Sequence, residues 1–422
     1  MWASSRYIVI MSFAAMIALV RGFIVAGILD LPSFGLYATI VAVGMFSSAL
    51  VSFGEIERTI KTFPRLWVVE RHRRSVVDRA DESAWVIILR AATLFVFFLT
   101  CTFVDAIRSV AQTGMFVALI ALSAALSSLY ASAIRATGDV ELLARNTFFR
   151  ALIVLVFGLS GAYYFSWQGA ILGEVLATIV GVLITRYSVV EKTISSAKNN
   201  GYIRENDGVT SPFDSGLWLF FAALLASAPV YLDRAFVASV FGTAMVGTFG
   251  FLMLFVTGAN TFTGIIAQKV GPQLIKSEYL GESINAQLKF AGRWLALIFT
   301  ICFAGMIGVT FLLVFGPFKY FFEKFHLDLN LIAAAGMMCT LQVGVILDFI
   351  MISRNQERAI FFAACLYLAA SGVMVLLVLW LKLSLVNFIW LLVLAKIFHI
   401  AAQVGFIGRI WHAHKRELES VK

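Results

Sequence analysis

Lys396 stands in the middle of an otherwise apolar run, Asn387–Gly408, and His399 follows three residues later on nearly the same helical face. Arg21, Glu174, Asp348 and the neighbours Asp233 and Arg234 are also set within apolar segments. An Arg or Lys at the centre of a bilayer costs about 2.5–3.5 kcal/mol on insertion scales, so such residues are expected to face a cavity or a partner. Fixed cations of this kind bind anions. Carboxylates in the same setting pair with the cations or carry a coupling H+ or Na+, since a desolvated carboxyl exchanges protons near neutral pH. A cavity-facing role is expected for Lys396, against the alternative of a structural pair with a carboxylate. For Glu174 and Asp348 charge pairing and ion coupling both stay open, and His399 is either part of that chemistry or a packed, hydrogen-bonded ring.

Arg90, Arg150, Arg186 and Arg293 lie near the ends of apolar segments, where long side chains reach the headgroups. The functional alternative is a basic mouth that attracts an anion, and Arg150 and Arg293, at the starts of their segments, suit it best. Asp233 and Arg234 are adjacent, so on a regular helix they do not face one another and are expected to have separate partners. Pro229, just before them, removes a backbone donor and kinks its helix. The kink serves as a hinge or is static.

Helices must hold these charges in place. The 422 residues are 61% hydrophobic and 14% charged, against about 45–50% and about 25% in soluble domains. So few charges cannot clothe a water-facing surface; lipid-facing positions must be apolar as well as the core. Spans are expected near 7–29, 34–54, 84–104, 114–134, 148–165, 169–186, 216–241, 244–267, 294–316, 329–352, 359–381 and 387–408. The first, Tyr7 to Leu29, is long enough to be a retained span rather than a signal peptide. The fold class is thus all-α integral membrane, with about twelve transmembrane helices.

Arg and Lys crowd one set of connectors, including Arg58, Arg71, Arg73, Arg74, Lys192 and Arg416. The opposite set holds Arg108, Lys319, Lys324 and Lys382. The basic side is expected to be cytoplasmic, with both termini on it. The net charge of +9 then sets topology and meets anionic lipid rather than nucleic acid. The mixed stretches 55–80 and 268–290 are expected at the cytoplasmic interface. The hydrophilic stretch Ser188–Ser215 separates six spans from six, giving lobes 1–200 and 201–422.

Cys101, Cys302, Cys339 and Cys365 lie in apolar stretches without metal-ligand spacing, so no metal is expected. No phosphate-binding Gly-x-x-x-x-Gly-Lys-Ser/Thr, His-Glu-x-x-His or Gly-x-Ser-x-Gly motif is present, and no enzymatic activity or cofactor beyond possible H+ or Na+ coupling is expected.

The halves share a pattern. Arg21 late in the first span is followed by a short turn and Phe34-Gly35-Leu36-Tyr37; Arg234 late in the seventh is followed by Val246-Gly247-Thr248-Phe249. Paired lobes around a central cavity are a recurrent transporter plan. The first of these motifs, with Gly54, resembles the N-terminal signature of Wzx-type polysaccharide flippases of the multidrug/oligosaccharidyl-lipid/polysaccharide exporter superfamily. Asp233-Arg234, Phe241-Gly242, the 246–249 motif and Pro272 are similar to that family's seventh-to-eighth-helix pattern. The resemblance implies a bacterial inner-membrane flippase for undecaprenyl-pyrophosphate-linked O-antigen or capsule units, working by alternating access. It further implies membrane lipids, a polysaccharide polymerase and a chain-length regulator as partners. Arg21, Arg234, Lys396, Arg150 and Arg293 would then bind substrate, and Asp233, Glu174, Asp348 and His399 would couple ions or pair charges. Two alternatives remain: a multidrug or small-cation exporter of the same superfamily, and a membrane glycan polymerase or ligase. The largest connector on the less basic side, Pro317–Asp328, is short for the latter.

Overall fold

A computed structural model describes residues 2–68, 73–104, 108–196, 217–279, 283–354 and 356–420. Among them the regular structure is helical: α1 Trp2–Ile28, α2 Leu31–Ser52, α3 Glu55–Val68, α4 Arg73–Cys101, α5 Arg108–Ala136, α6 Val140–Ser196, α7 Leu217–Tyr231, α8 Asp233–Phe241, α9 Thr243–Tyr279, α10 Ile284–Val314, α11 Lys319–Lys324, α12 Leu329–Thr340, α13 Gly344–Ser353, α14 Glu357–Leu381 and α15 Leu385–Ser420. Eleven helical stretches among the described residues are long and apolar enough to cross a membrane. One of them, Val140–Ser195, is 56 residues long. At 1.5 Å per residue it would extend about 84 Å, far beyond the roughly 30 Å of hydrocarbon. It folds back at Phe165 (φ −133°, ψ 22°) and Ser166 (φ 56°, ψ −147°). Its two halves are separate spans, which brings eleven to twelve. The hairpin closes tightly because Gly161 and Gly169 face each other: a Cβ at 161 would lie 2.0 Å from the Gly169 carbonyl oxygen.

The chain forms two compact units, Met1–Phe220 and Phe221–Lys422. Of the linker expected over Ser188–Ser215, residues 188–196 continue α6, and 197–215 lie outside the described residues. In the first unit α5 is the central helix, lined by small buried residues such as Ala121, Ala125 and Ala133 that let α2, α4 and α6 pack closely. α1 packs along α6. In the second unit α9 takes the central place against α12 and α13, and α14 pairs with α15. Phe251 of α9 stacks on Phe325, ring centroids 4.4 Å apart.

Two local expectations change. The turn after the first span is shorter than Asp30–Ser33, because α2 starts at Leu31 with Pro32 in its first turn, where a missing N–H costs nothing. The tenth span, expected unbroken over 329–352, is interrupted by a 3₁₀ turn at Leu341–Val343. The mixed stretches are helical where described: 55–68 is a helix of its own, 73–80 opens α4, 268–279 ends α9 and 284–290 opens α10.

Candidate functional site

The first unit holds a charged cluster between α1, α2 and α6. Arg21 Nη1 lies 2.9 Å from Glu174 Oε2, with 20% and 14% of the two side chains exposed. The Tyr37 hydroxyl donates a short hydrogen bond to the other carboxylate oxygen. Gly158, on the first half of the α6 hairpin, makes room: a Cβ there would lie 3.2 Å from Glu174 Cγ. Glu174 holds Arg21 by one nitrogen only. The enclosed Nε of Arg21 has no acceptor among the described residues. Half of a fork suited to paired carboxylate or phosphate oxygens is therefore unused. Arg150, partly buried, rests its side chain against Gly181, where a Cβ would come within 2.7 Å of Arg150 Cγ. It makes no ion pair among the described residues, and Arg21 and Arg135 are in electrostatic range of it.

The second unit holds another cluster. The Lys396 ammonium sits 5.1 Å from the centroid of the Tyr367 ring, a cation–π contact. His399 stacks on the same ring at 4.7 Å and 13°. Lys396 makes no ion pair within 4 Å among the described residues, although Asp348 is in electrostatic range. Asp348 Oδ1 accepts from Gln403 Nε2 at 2.7 Å. His399 Nδ1 and Gln403 Oε1 are enclosed and have no partner among the described residues. Gly344, at the break before α13, leaves space for Gln403: a Cβ there would lie 3.0 Å from Gln403 Oε1. Asp233 is in electrostatic range of Tyr367, so the start of α8 belongs to this neighbourhood.

Asp233 and Arg234 do not have the separate partners expected of them. Asp233 Oδ1 accepts from the Arg234 backbone N–H at 2.6 Å and stands 3.8 Å from Arg234 Nη1. Arg234 Nη1 also reaches the Val230 carbonyl at 3.4 Å. The reason is the interruption after Pro229: α7 stops at Tyr231 and Asp233 opens α8. First-turn amides of a helix lack intrahelical acceptors, so the Asp233 side chain folds back on the next residue. Arg293, expected to open its span, is exposed in the third turn of α10, which begins at Ile284, and joins neither cluster. Arg90 and Arg186, expected to reach the headgroups, both have protein acceptors. Arg90 bonds the Val51 and Ser52 carbonyls at the end of α2. Arg186 holds Asp81 through two nitrogens, at 2.9 and 2.7 Å, and Tyr130 donates to the same carboxylate.

Tyr37, Tyr367 and Gln403 were not singled out as site residues by sequence. Gln403 had a usable signal: residues 396, 399 and 403 follow a helical 3–4 spacing and share one face. Tyr37 had one as the aromatic that closes the Phe34-Gly35-Leu36-Tyr37 motif; Tyr367 had none, since tyrosine is unremarkable in membrane helices.

No family profile and no curated protein matches the sequence. Solved structures do match over nearly the whole chain. An inward-facing structure of a multidrug resistance MATE family transporter of the MOP superfamily superposes with a TM-score of 0.58 at 14% identity, covering 98% of this chain and 96% of that one. Its outward-facing counterpart gives 0.58 at 13%, with the same coverage. The chain has the MATE transporter fold. A MOP superfamily transporter from Pyrococcus furiosus, for which a reversed polarity of the binding pocket suggests a different function, superposes at 0.56 and 14% identity over 98% of this chain and 96% of its own. The fold and the apolar helices make the chain a multi-pass membrane protein. Identity this low carries the architecture and leaves the cargo to the site.

Proposed function

We propose that this protein is a Wzx-type flippase, which moves undecaprenyl-pyrophosphate-linked oligosaccharide from the cytoplasmic to the periplasmic leaflet of a bacterial inner membrane. It works by alternating access, and both termini are cytoplasmic. The observation that carries this reading is the incompletely neutralised arginine pair of the first unit, Arg21 with its unpartnered Nε and Arg150 without an ion pair among the described residues. A bare charge in hydrocarbon is penalised by tens of kcal/mol on a Born estimate. Fixed guanidinium groups replace the water around a pyrophosphate and bind it through paired hydrogen bonds. Lys396, held on Tyr367 without an ion pair, supplies a further point charge in the second unit. The polyprenyl tail stays in lipid, and no covalent chemistry is required.

A second reading, export of drugs or small cations, is favoured by the MATE neighbours and by the buried Asp233. The two part in one experiment. Protein reconstituted in liposomes is given a fluorescent lipid-linked oligosaccharide without nucleotide, and a cationic dye in parallel. Oligosaccharide translocation that falls in Arg150→Gln supports the flippase; dye transport with no oligosaccharide movement refutes it.

A further inference from the structure

The contact between Arg21 and Glu174 has a form that a purely structural ion pair does not need. The carboxylate touches one nitrogen of the guanidinium, at 2.9 Å, and leaves Nε enclosed without an acceptor. Its other oxygen is already held by the Tyr37 hydroxyl. Glu174 therefore has a partner that it keeps when it lets go of Arg21. We propose that Glu174 is an internal stand-in for the substrate's phosphate: it occupies Arg21 while the site is empty, and the anionic headgroup displaces it on binding. This rests on the reading of Arg21 and Arg150 as an anion site.

The physical case is a competition for one cation. A phosphate oxygen pair engages both Nε and an Nη of a guanidinium, a charge-assisted fork that a single contact cannot match. Glu174 and a phosphate cannot both stay at contact distance from Arg21 without repelling each other in a medium of low dielectric constant. Gly158, with no side chain of its own, lets Glu174 Cγ and Arg21 Cδ lie directly against the first half of the α6 hairpin, so no side chain at 158 pins the carboxylate to the guanidinium. Arg150 completes the argument. Arg150 makes no ion pair among the described residues, so the incoming anion meets a cation that Glu174 does not neutralise. A multiply charged pyrophosphate gains from both guanidinium groups, whereas Glu174 gains from one. The device favours pyrophosphate over a monoanion and supplies the competing group that releases it.

The test is a titration of the purified full-length protein in detergent micelles with undecaprenyl pyrophosphate, and separately with undecaprenyl phosphate. Glu174→Gln is expected to bind the pyrophosphate about tenfold more tightly than wild type, an ordinary strength for coupling between two groups. Glu174→Asp keeps the charge but shortens its reach, so it tightens binding in the same direction and guards against a folding defect in the first variant. In an Arg21→Gln background the Glu174→Gln change should have no further effect. If well-folded variants bind no more tightly than wild type, or if the tightening survives without Arg21, the stand-in role is overturned while the anion site stands. If wild type and all variants fail to bind the pyrophosphate, the anion site itself is refuted and the stand-in with it.

Discussion

Replacing Arg21 by Met removes one half of the buried pair at the α1–α6 contact and retains most of the side-chain volume. At the observed 2.9 Å the direct attraction is about 6 kcal/mol for an effective dielectric constant near 20. Part of this attraction offsets the cost of desolvating two groups that are mostly buried, so the pair's net value is far smaller. Breaking such a pair from one side is costlier, about 3–5 kcal/mol, because the remaining charge is left buried. The hydroxyl of Tyr37 lessens the penalty, which places the expected loss toward the low end. A change of 1 kcal/mol moves the melting temperature of a unit of this size by about 2–4 °C, so a loss near 3 kcal/mol corresponds to roughly 6–12 °C. Thermal unfolding in detergent, followed by intrinsic fluorescence, measures it. Arg21→Met with Glu174→Gln should recover most of the loss, since neither charge then remains. An Arg21→Met protein within about 2 °C of wild type, or a double variant no better than the single one, would show that the pair is not the buried contact described here.

Lys396→Met should leave the melting temperature unchanged or raise it, because the ammonium has no ion pair among the described residues, yet it should reduce liposome transport; a large loss of stability with normal transport would contradict the functional assignment. Gly344→Val places methyl groups against Gln403 and should cost about 1–3 kcal/mol through overpacking, read as a lower melting temperature and lost protection of α15 amides in hydrogen exchange. Asp139, in the turn between α5 and α6, is held below the usual carboxylate range by its hydrogen bond from Lys192, at 2.8 Å, and by the Leu142 amide. A depressed folded-state value means that its stabilisation is complete above about pH 4, the unfolded value, and is lost as pH falls through the folded one. Its side chain is 29% exposed and that of Lys192 43%, so the effect is about 0.2–1 kcal/mol. The difference in melting temperature between wild type and Asp139→Asn should be present at pH 7 and shrink on acidification; a difference that grows below pH 4 would reverse the assigned sign.

The apolar fraction, the span lengths and the crowding of Arg and Lys on alternate connectors decided by themselves that this is a twelve-span helical membrane protein. Those are local properties of the chain: a span needs about 20 apolar residues whatever it packs against. The same applies to the list of charges in apolar surroundings, since the cost of Lys396 or Glu174 in hydrocarbon is legible from position alone. Their partners were not legible. Arg21 meets Glu174 across 153 positions of sequence only because α1 lies along the second half of the α6 hairpin, and that hairpin closes only because Gly161 and Gly169 let two backbones touch. Asp233 turned toward Arg234, against the helical spacing rule, because α7 ends two residues after Pro229. The break at Leu341–Val343 carried no proline to announce it, and it became visible only with Gln403 packed against Gly344. Periodicity and composition fix which residues are costly to bury. Which pairs relieve that cost depends on helix-to-helix contacts between segments far apart in the chain, and these follow from the whole packing rather than from any one span.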